Sequence, residues 1–272
     1  MDELIAAFLD AHPDYAPATR REYHARLRNW TRWLGVSRWR DVDEKRLDRA
    51  IAHIAQQGYT VQTRRAYYTA LHTFANWLAT RHIHLPTDRL PVINSRTESV
   101  TTLAPQQIAR LLYLSPTEWQ ATTVRNVAMY ALLWATGITA RELCALSLGD
   151  IAWGDGELYV AGRVLPIYPG ALRLVRRYIH HVRPRTTDDR QRAMFVAYDG
   201  KRMAWKKCAA TLRRFAIRCG VDCTPQAIRH TFAMHLHSNG VSASDLQAIL
   251  GHSSHDAAYR YYRELHSRRE MP

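Results

Sequence analysis

Several things are scarce in this chain, and each scarcity closes a door. No apolar run approaches the roughly 18 residues needed to cross a bilayer as a helix, so no membrane partner is expected. Cysteine is limited to Cys144, Cys208, Cys219 and Cys223, with no C-x-x-C pair. Cys219 and Cys223 would lie one turn apart on a helix, but Gly220 argues for a loop between them. Reduced thiols are expected, and without paired ligands neither a metal nor any other cofactor is. The opening M-D-E-L-I-A-A-F-L is acidic and has no basic leader or cleavage signal, so no export is implied and a cytoplasmic protein is expected. Lysine is confined to Lys45, Lys201, Lys206 and Lys207. Acidic residues are outnumbered, 24 against 38 basic ones, giving a net charge of +14.

What is present is arginine and apolar mass. At 272 residues the chain suggests two domains, and 47% apolar residues suffice for buried cores. A charge of this sign is the footprint of a polyanion binder. Arginine's planar fork also suits phosphate oxygens better than a point charge does.

Taken in order, residues 2–12 read as a short amphipathic helix with Leu4, Ile5, Phe8 and Leu9 on one face, broken by Pro13 and Pro17. A second helix is expected from Thr19, capped there with Glu22 three residues on, and ending at Gly35. Asp43 caps a third, with Leu47, Ile51 and Ile54 inward. Residues 60–81 make a fourth around Tyr67, Leu71, Phe74 and Leu78. Residues 86–101 carry two prolines and no periodicity, and read as a linker. Leu103-Ala104-Pro105 opens another helix, 122–135 is apolar enough for a central buried one ended by Gly137, and 141–148 is a short one. The period then changes: 157–167 reads as two strands around Gly162-Arg163, and A-M-F-V-A-Y at 193–198 as a further strand. Residues 169–182 and the very basic 204–219 return to helix.

The chemistry concentrates in residues 224–262. Arg229-His230 opens an apolar helix in T-P-Q-A-I-R-H-T-F-A; Leu250-Gly251-His252 ends the next helix; Tyr259, Tyr261 and Tyr262 follow. An arginine, a histidine and a tyrosine supply a charge clamp, a hydrogen-bond donor and a nucleophile for phosphoryl transfer.

This stretch resembles the tyrosine recombinase (phage integrase) family, through R-H-T-F-A at 229–233, Gly240 and L-G-H-S-S at 250–254. The resemblance implies a mainly α protein. Residues 1–85 would form a helical, SAM-like core-binding bundle, 86–101 a linker that lets two domains close around a duplex, and 102–272 a mostly helical α/β catalytic domain with a small antiparallel sheet. It implies site-specific DNA recombination or integration through a 3′-phosphotyrosyl link, with no cofactor, on double-stranded DNA. The working assembly would be a tetramer on two duplexes, with a partner recombinase as a further option. Tyr261 matches the nucleophile, Arg229 the second clamp arginine and His252 a phosphate donor, with His230 in support. In V-Q-T-R-R-A-Y, Thr63, Arg64 and Arg65 match a DNA-binding helix start, and Lys206, Lys207 and Arg213 line a second basic helix.

Three positions depart from the pattern. The first arginine's place after A-T-G is held by Thr139, and Arg141 is two residues off, about 200° around a helix. The histidine of His-x-x-Arg falls on Gln226, and the hairpin lysine's place falls on Arg163 or is empty. Arg163 is a poor general acid, because guanidinium holds its proton to a pKa above about 12; it would serve as clamp charge if the hairpin swings over the phosphate. These departures leave a second reading, a catalytically impaired DNA-binding accessory or regulatory protein. A third is a subunit that completes a partner's site, with its tail 263–272 docked on a neighbour.

Overall fold

The computed structural model describes residues 1–92, 102–188 and 190–251. Two compact units divide at Glu98/Ser99.

The first unit is a helical bundle of α1 (Asp2–Asp10), α2 (Pro17–Leu34), α3 (Glu44–Gln56) and α4 (Val61–Ala79). Its core is Ile5, Phe8, Leu27, Trp30, Leu47, Ile54, Leu71, Phe74 and Leu78, which recur at helical spacing on the four inner faces. Asp43 caps α3 by accepting from the Arg46 amide at 2.7 Å, and Thr60 caps α4 by accepting from that of Thr63 at 3.2 Å. The start of α2 differs from the expectation at Thr19. Pro17 does not break the chain there; its fixed φ suits the first helical position, so the helix begins at the proline and Thr19 lies inside it. Residues 86–92, counted with the linker on sequence grounds, include a 3₁₀ turn at Thr87–Arg89 and the buried Leu90, which packs on this bundle. Arg89 pins that turn to Asp48 at 2.5 Å.

The second unit is built around α6 (Ala121–Thr136), apolar on nearly every side and buried from Val124 to Leu133. Around it stand α5 (Pro105–Leu112), α7 (Ala140–Ala145), α8 (Pro169–Arg177), α9 (Trp205–Arg218) and α10 (Pro225–Ser238). The helix α11 (Ala243–Leu250) packs on α10. One antiparallel sheet in the order β1 (Ile151–Ala152), β2 (Glu157–Val160), β3 (Arg163–Pro166) lies among them. Val160 pairs with Arg163 across a two-residue turn, so the strand ends are held tightly together.

The run at 193–198 is not a strand of this sheet. Among the described residues it makes only isolated bridges, Ser147 with Ala193 and Val196 with Arg202. Its carbonyls are met by buried arginines instead: Arg183 donates to Ala193 O at 3.0 Å and Arg125 to Val196 O at 3.0 Å. A continuous apolar run therefore marks a buried segment here without a neighbouring strand. Among the described residues no helix is long and apolar enough to cross a membrane.

Candidate active site

The helix that presents Arg229 is set by its first turn. Thr224 accepts from the Ala227 amide at 3.2 Å, and Pro225 sits at the first helical position. Ala227, Ile228, Thr231 and Phe232 then face inward, which takes Arg229 into the interior with 6% of its surface exposed. A buried guanidinium is tolerable only when its donors are met. Arg229 donates through Nη1 to the Gly137 carbonyl at 2.7 Å and through Nη2 to the Leu250 carbonyl at 2.6 Å.

Gly137 makes that approach possible. It closes α6 with φ +64°, and a Cβ there would stand 2.2 Å from a ring carbon of Phe232. Only glycine gives the left-handed turn together with room for the residue three positions beyond Arg229 on α10.

Two residues on, Thr139 begins α7 as its N-cap. Its amide and hydroxyl donate to Glu142 Oε2 at 2.7 and 2.8 Å, and its oxygen accepts from the Glu142 amide at 3.1 Å. This is a reciprocal capping box, so the Thr139 side chain is fully occupied with the helix end. Glu142 then serves a second purpose. Its Oε1 accepts from Nη2 of Arg163, and its Oε2 lies 3.9 Å from Nη1 of Arg229.

Arg163 starts β3 and also donates through Nη1 to the Ile249 carbonyl at 2.6 Å. Both arginines thus bond successive carbonyls at the C-terminal end of α11, the negative end of a helix dipole. That helix closes at Gly251 with φ +65°, and a Cβ at Gly251 would come within 2.8 Å of the Arg163 guanidinium carbon. Two guanidiniums against the one carboxylate leave a net single positive charge beside the turn that leads into His252. Such a cluster can hold an anion of phosphate type.

Of the residues singled out on sequence grounds, the structure brings together Arg163, Arg229 and Thr139. His252 and Tyr261 lie outside the described residues. Gln226 is exposed on α10, and its amide donates to His230 Nε2 at 3.2 Å, one turn along the same helix. The guanidinium of Arg141 lies 5.2 Å from the ring of Trp205, the first residue of α9. Lys206 is also over Trp205, at 5.7 Å, and Lys207 over Tyr198 at 4.4 Å, so the start of α9 carries an exposed basic and aromatic patch. Arg213 lies further along and is 3.7 Å from Asp222. In the first unit Thr63 and Arg64 are half-buried at the start of α4, and Arg65 is exposed.

Glu142 is the member of the site that motif spacing did not single out, although the T-x-x-E of a capping box at 139–142 was there to read. Arg202 was missed as well. It donates to the carbonyls of Cys144, Ala145 and Leu146 at 2.5–2.9 Å and so closes the C-terminal end of α7.

Comparisons with known proteins agree with this layout. The profile of the phage integrase family matches residues 101–268, and that of the phage integrase N-terminal SAM-like domain matches residues 6–82. The chain is 27% identical over 289 residues to the tyrosine recombinase XerC of Roseiflexus castenholzii, covering 100% of this chain and 92% of that protein. Its fold is similar to that of the XerH site-specific recombinase bound to a palindromic difH substrate, with a TM-score of 0.73 at 14% identity, covering 99% of this chain and 83% of that one. It is also similar to a lambda integrase tetramer bound to a Holliday junction, with a TM-score of 0.68 at 17% identity, covering 96% and 75%. A match over residues 101–268, more than half of the chain, joined to one over the N-terminal bundle, shows that the chain belongs to the phage integrase family, the tyrosine recombinases.

Proposed function

We propose that this protein is a site-specific recombinase that cuts and rejoins double-stranded DNA through a 3′-phosphotyrosyl intermediate. The Tyr261 oxygen attacks the scissile phosphorus. A tyrosine O–P bond forms as the phenol gives up its proton, the bond to the 5′ oxygen breaks, and that oxygen takes up one proton in turn and leaves as a hydroxyl. The bond energy is kept in the protein–DNA link, so rejoining needs no nucleotide cofactor. Arg229 and His252 hold the non-bridging oxygens while charge builds on them, and His230, with Gln226 beside it, supports the same oxygens.

One observation carries this reading: two guanidiniums, Arg229 and Arg163, converge on the end of α11 immediately before His252. Fixed cations aimed at developing phosphoryl charge take the part that a metal plays in other phosphoryl-transfer sites. A non-cleaving accessory role is not favoured, because the similarity to a tyrosine recombinase runs along the whole chain.

DNA is held in this proposal by the start of α4, through Thr63, Arg64 and Arg65, and by α9, through Lys206, Lys207 and Arg213. Residues 1–85 act as the core-binding domain, 86–101 as the connection and 102–272 as the catalytic domain. Four recombinase subunits act on two duplexes, the arrangement named for lambda integrase on a Holliday junction. The protein acts in the cytoplasm on nucleoid DNA. The test is recombination between two copies of the target site on one plasmid, in buffer containing a chelator. Resolved product from the wild-type protein, and none from Tyr261→Phe, is the expected result; wild-type protein that binds the sites but yields no product overturns the proposal.

A further inference from the structure

We propose that Arg163 is the phosphate-binding cation that stands in for the one absent at Thr139, so that the clamp charge of this site comes from the β2–β3 hairpin and not from the start of α7. The inference rests on the recombinase reading given above and concerns one residue of that site.

Four observations support it. First, Thr139 and Arg163 share one carboxylate: Thr139 bonds Glu142 Oε2 at 2.7 and 2.8 Å, and Arg163 Nη2 bonds Oε1 of the same group. The guanidinium head is therefore brought to the start of α7, where Thr139 itself offers no charge. Second, the hairpin has no need to swing. Its two-residue turn and the Val160–Arg163 pairing fix the root of the side chain, while Glu142 and the Ile249 carbonyl fix its head. Third, the Arg163 Nε–H is buried and has no hydrogen-bond acceptor among the described residues, a costly state for a cation's donor unless a ligand completes it. Fourth, the lack of a side chain at Gly251 lets the end of α11 close directly onto that part of the guanidinium. A Cβ at position 251 would lie 2.9 Å from Nε and 3.0 Å from Nη1. The residue after this glycine is His252, so the unmet donor sits beside the turn from which the proposed phosphate donor departs.

Arg163 contributes charge and a hydrogen bond to a non-bridging oxygen. It transfers no proton, since guanidinium does not release one at working pH.

The test uses full-length protein and a nicked suicide duplex carrying its target, selected by binding from a random-sequence duplex pool. Single-turnover formation of the covalent adduct is measured at saturating duplex, with the duplex Kd and thermal unfolding measured in parallel. Arg163→Ala is expected to slow adduct formation about 10²- to 10³-fold, the range for removal of one fixed donor to a developing oxyanion, with Kd within about threefold of wild type, since one phosphate contact is a small part of a multi-contact interface. Adding Thr139→Arg to Arg163→Ala is expected to restore at least about tenfold, because it returns a guanidinium to the same carboxylate. Arg163→Lys keeps the ion pair to Glu142 but has no Nε–H fork, and is expected to remain at least about tenfold slow. Should Arg163→Ala fail to fold, the lysine variant still decides the matter. An Arg163→Lys protein that cleaves at the wild-type rate, or a folded double variant no faster than Arg163→Ala, overturns the inference. Those results leave the recombinase reading standing; absence of any adduct from the wild-type protein overturns both.

Discussion

Arg229 donates to the Leu250 carbonyl at 2.6 Å, joining α10 to the last turn of α11 two residues before His252. The same guanidinium reaches back to Gly137. One side chain thus ties these elements together and, in the proposed mechanism, also holds the phosphate, so its removal should cost stability and chemistry together. Arg229→Ala strands two buried carbonyls and is expected to lower unfolding free energy by about 2–4 kcal/mol. Arg229→Lys keeps charge but cannot span both carbonyls, and is expected to recover only part of that loss. Urea denaturation of the two variants beside wild type checks this.

The proposed DNA contacts predict a salt signature. With a net charge of +14, duplex affinity is expected to fall steeply as salt rises, with a log–log slope near −0.9 per phosphate contacted. Lys207, exposed on α9 over Tyr198, and Arg65, exposed on α4, are each expected to account for about one unit of that slope, so Lys207→Ala and Arg65→Ala should each flatten it by about that much. Fluorescence anisotropy across a salt series reads the slopes directly.

The hairpin turn is strained at one residue. Ala161 has φ +47° and is followed by Gly162 at +74°, a turn that favours asparagine before glycine. Ala161→Asn is expected to stabilise the protein by about 0.5–1 kcal/mol, a part of the roughly 1–2 kcal/mol that an ordinary residue costs in this region. A higher Tm with unchanged duplex binding is the expected outcome.

How much of this was legible beforehand follows a physical line. Amphipathic periodicity and caps such as Asp43 give the helices away, because those signals are local. Helix α7 also carried its own T-x-x-E cap, but motif spacing draws attention to the arginine that position 139 lacks rather than to Glu142, which Thr139 holds by hydrogen bonds. The meeting of Arg163, Glu142 and Arg229 joins a hairpin, a helix start and a distant helix, and no local period reports such a contact. The segment 193–198 misled for the reverse reason: its apolar run is real, but Arg125 and Arg183 satisfy the carbonyls that a partner strand would have met.

Tyr130 gives a pH test of the core. Burial, with Cys223 adding to it, pushes its phenol well above the ordinary 10.0, and its hydroxyl donates to the Leu212 carbonyl at 2.9 Å. The folded state therefore holds this proton after the unfolded chain has released it. The stability it contributes is complete below pH 10 and declines above it, by up to about 1.4 kcal/mol per pH unit. Tyr130→Phe is expected to be less stable near neutral pH, by about 1 kcal/mol for the lost bond, and to lose less on going from pH 10 to 11. Chemical denaturation at the two pH values compares the slopes.

The most direct test of the whole account is a covalent one. Incubate the protein with a nicked suicide duplex of its target in chelator, denature, and run the mixture on a gel. A protein–DNA adduct from wild type, mapped to Tyr261 by peptide digestion and absent from Tyr261→Phe, is the predicted result. An adduct that persists in Tyr261→Phe, or wild-type protein that binds the duplex and never joins it, would contradict the account.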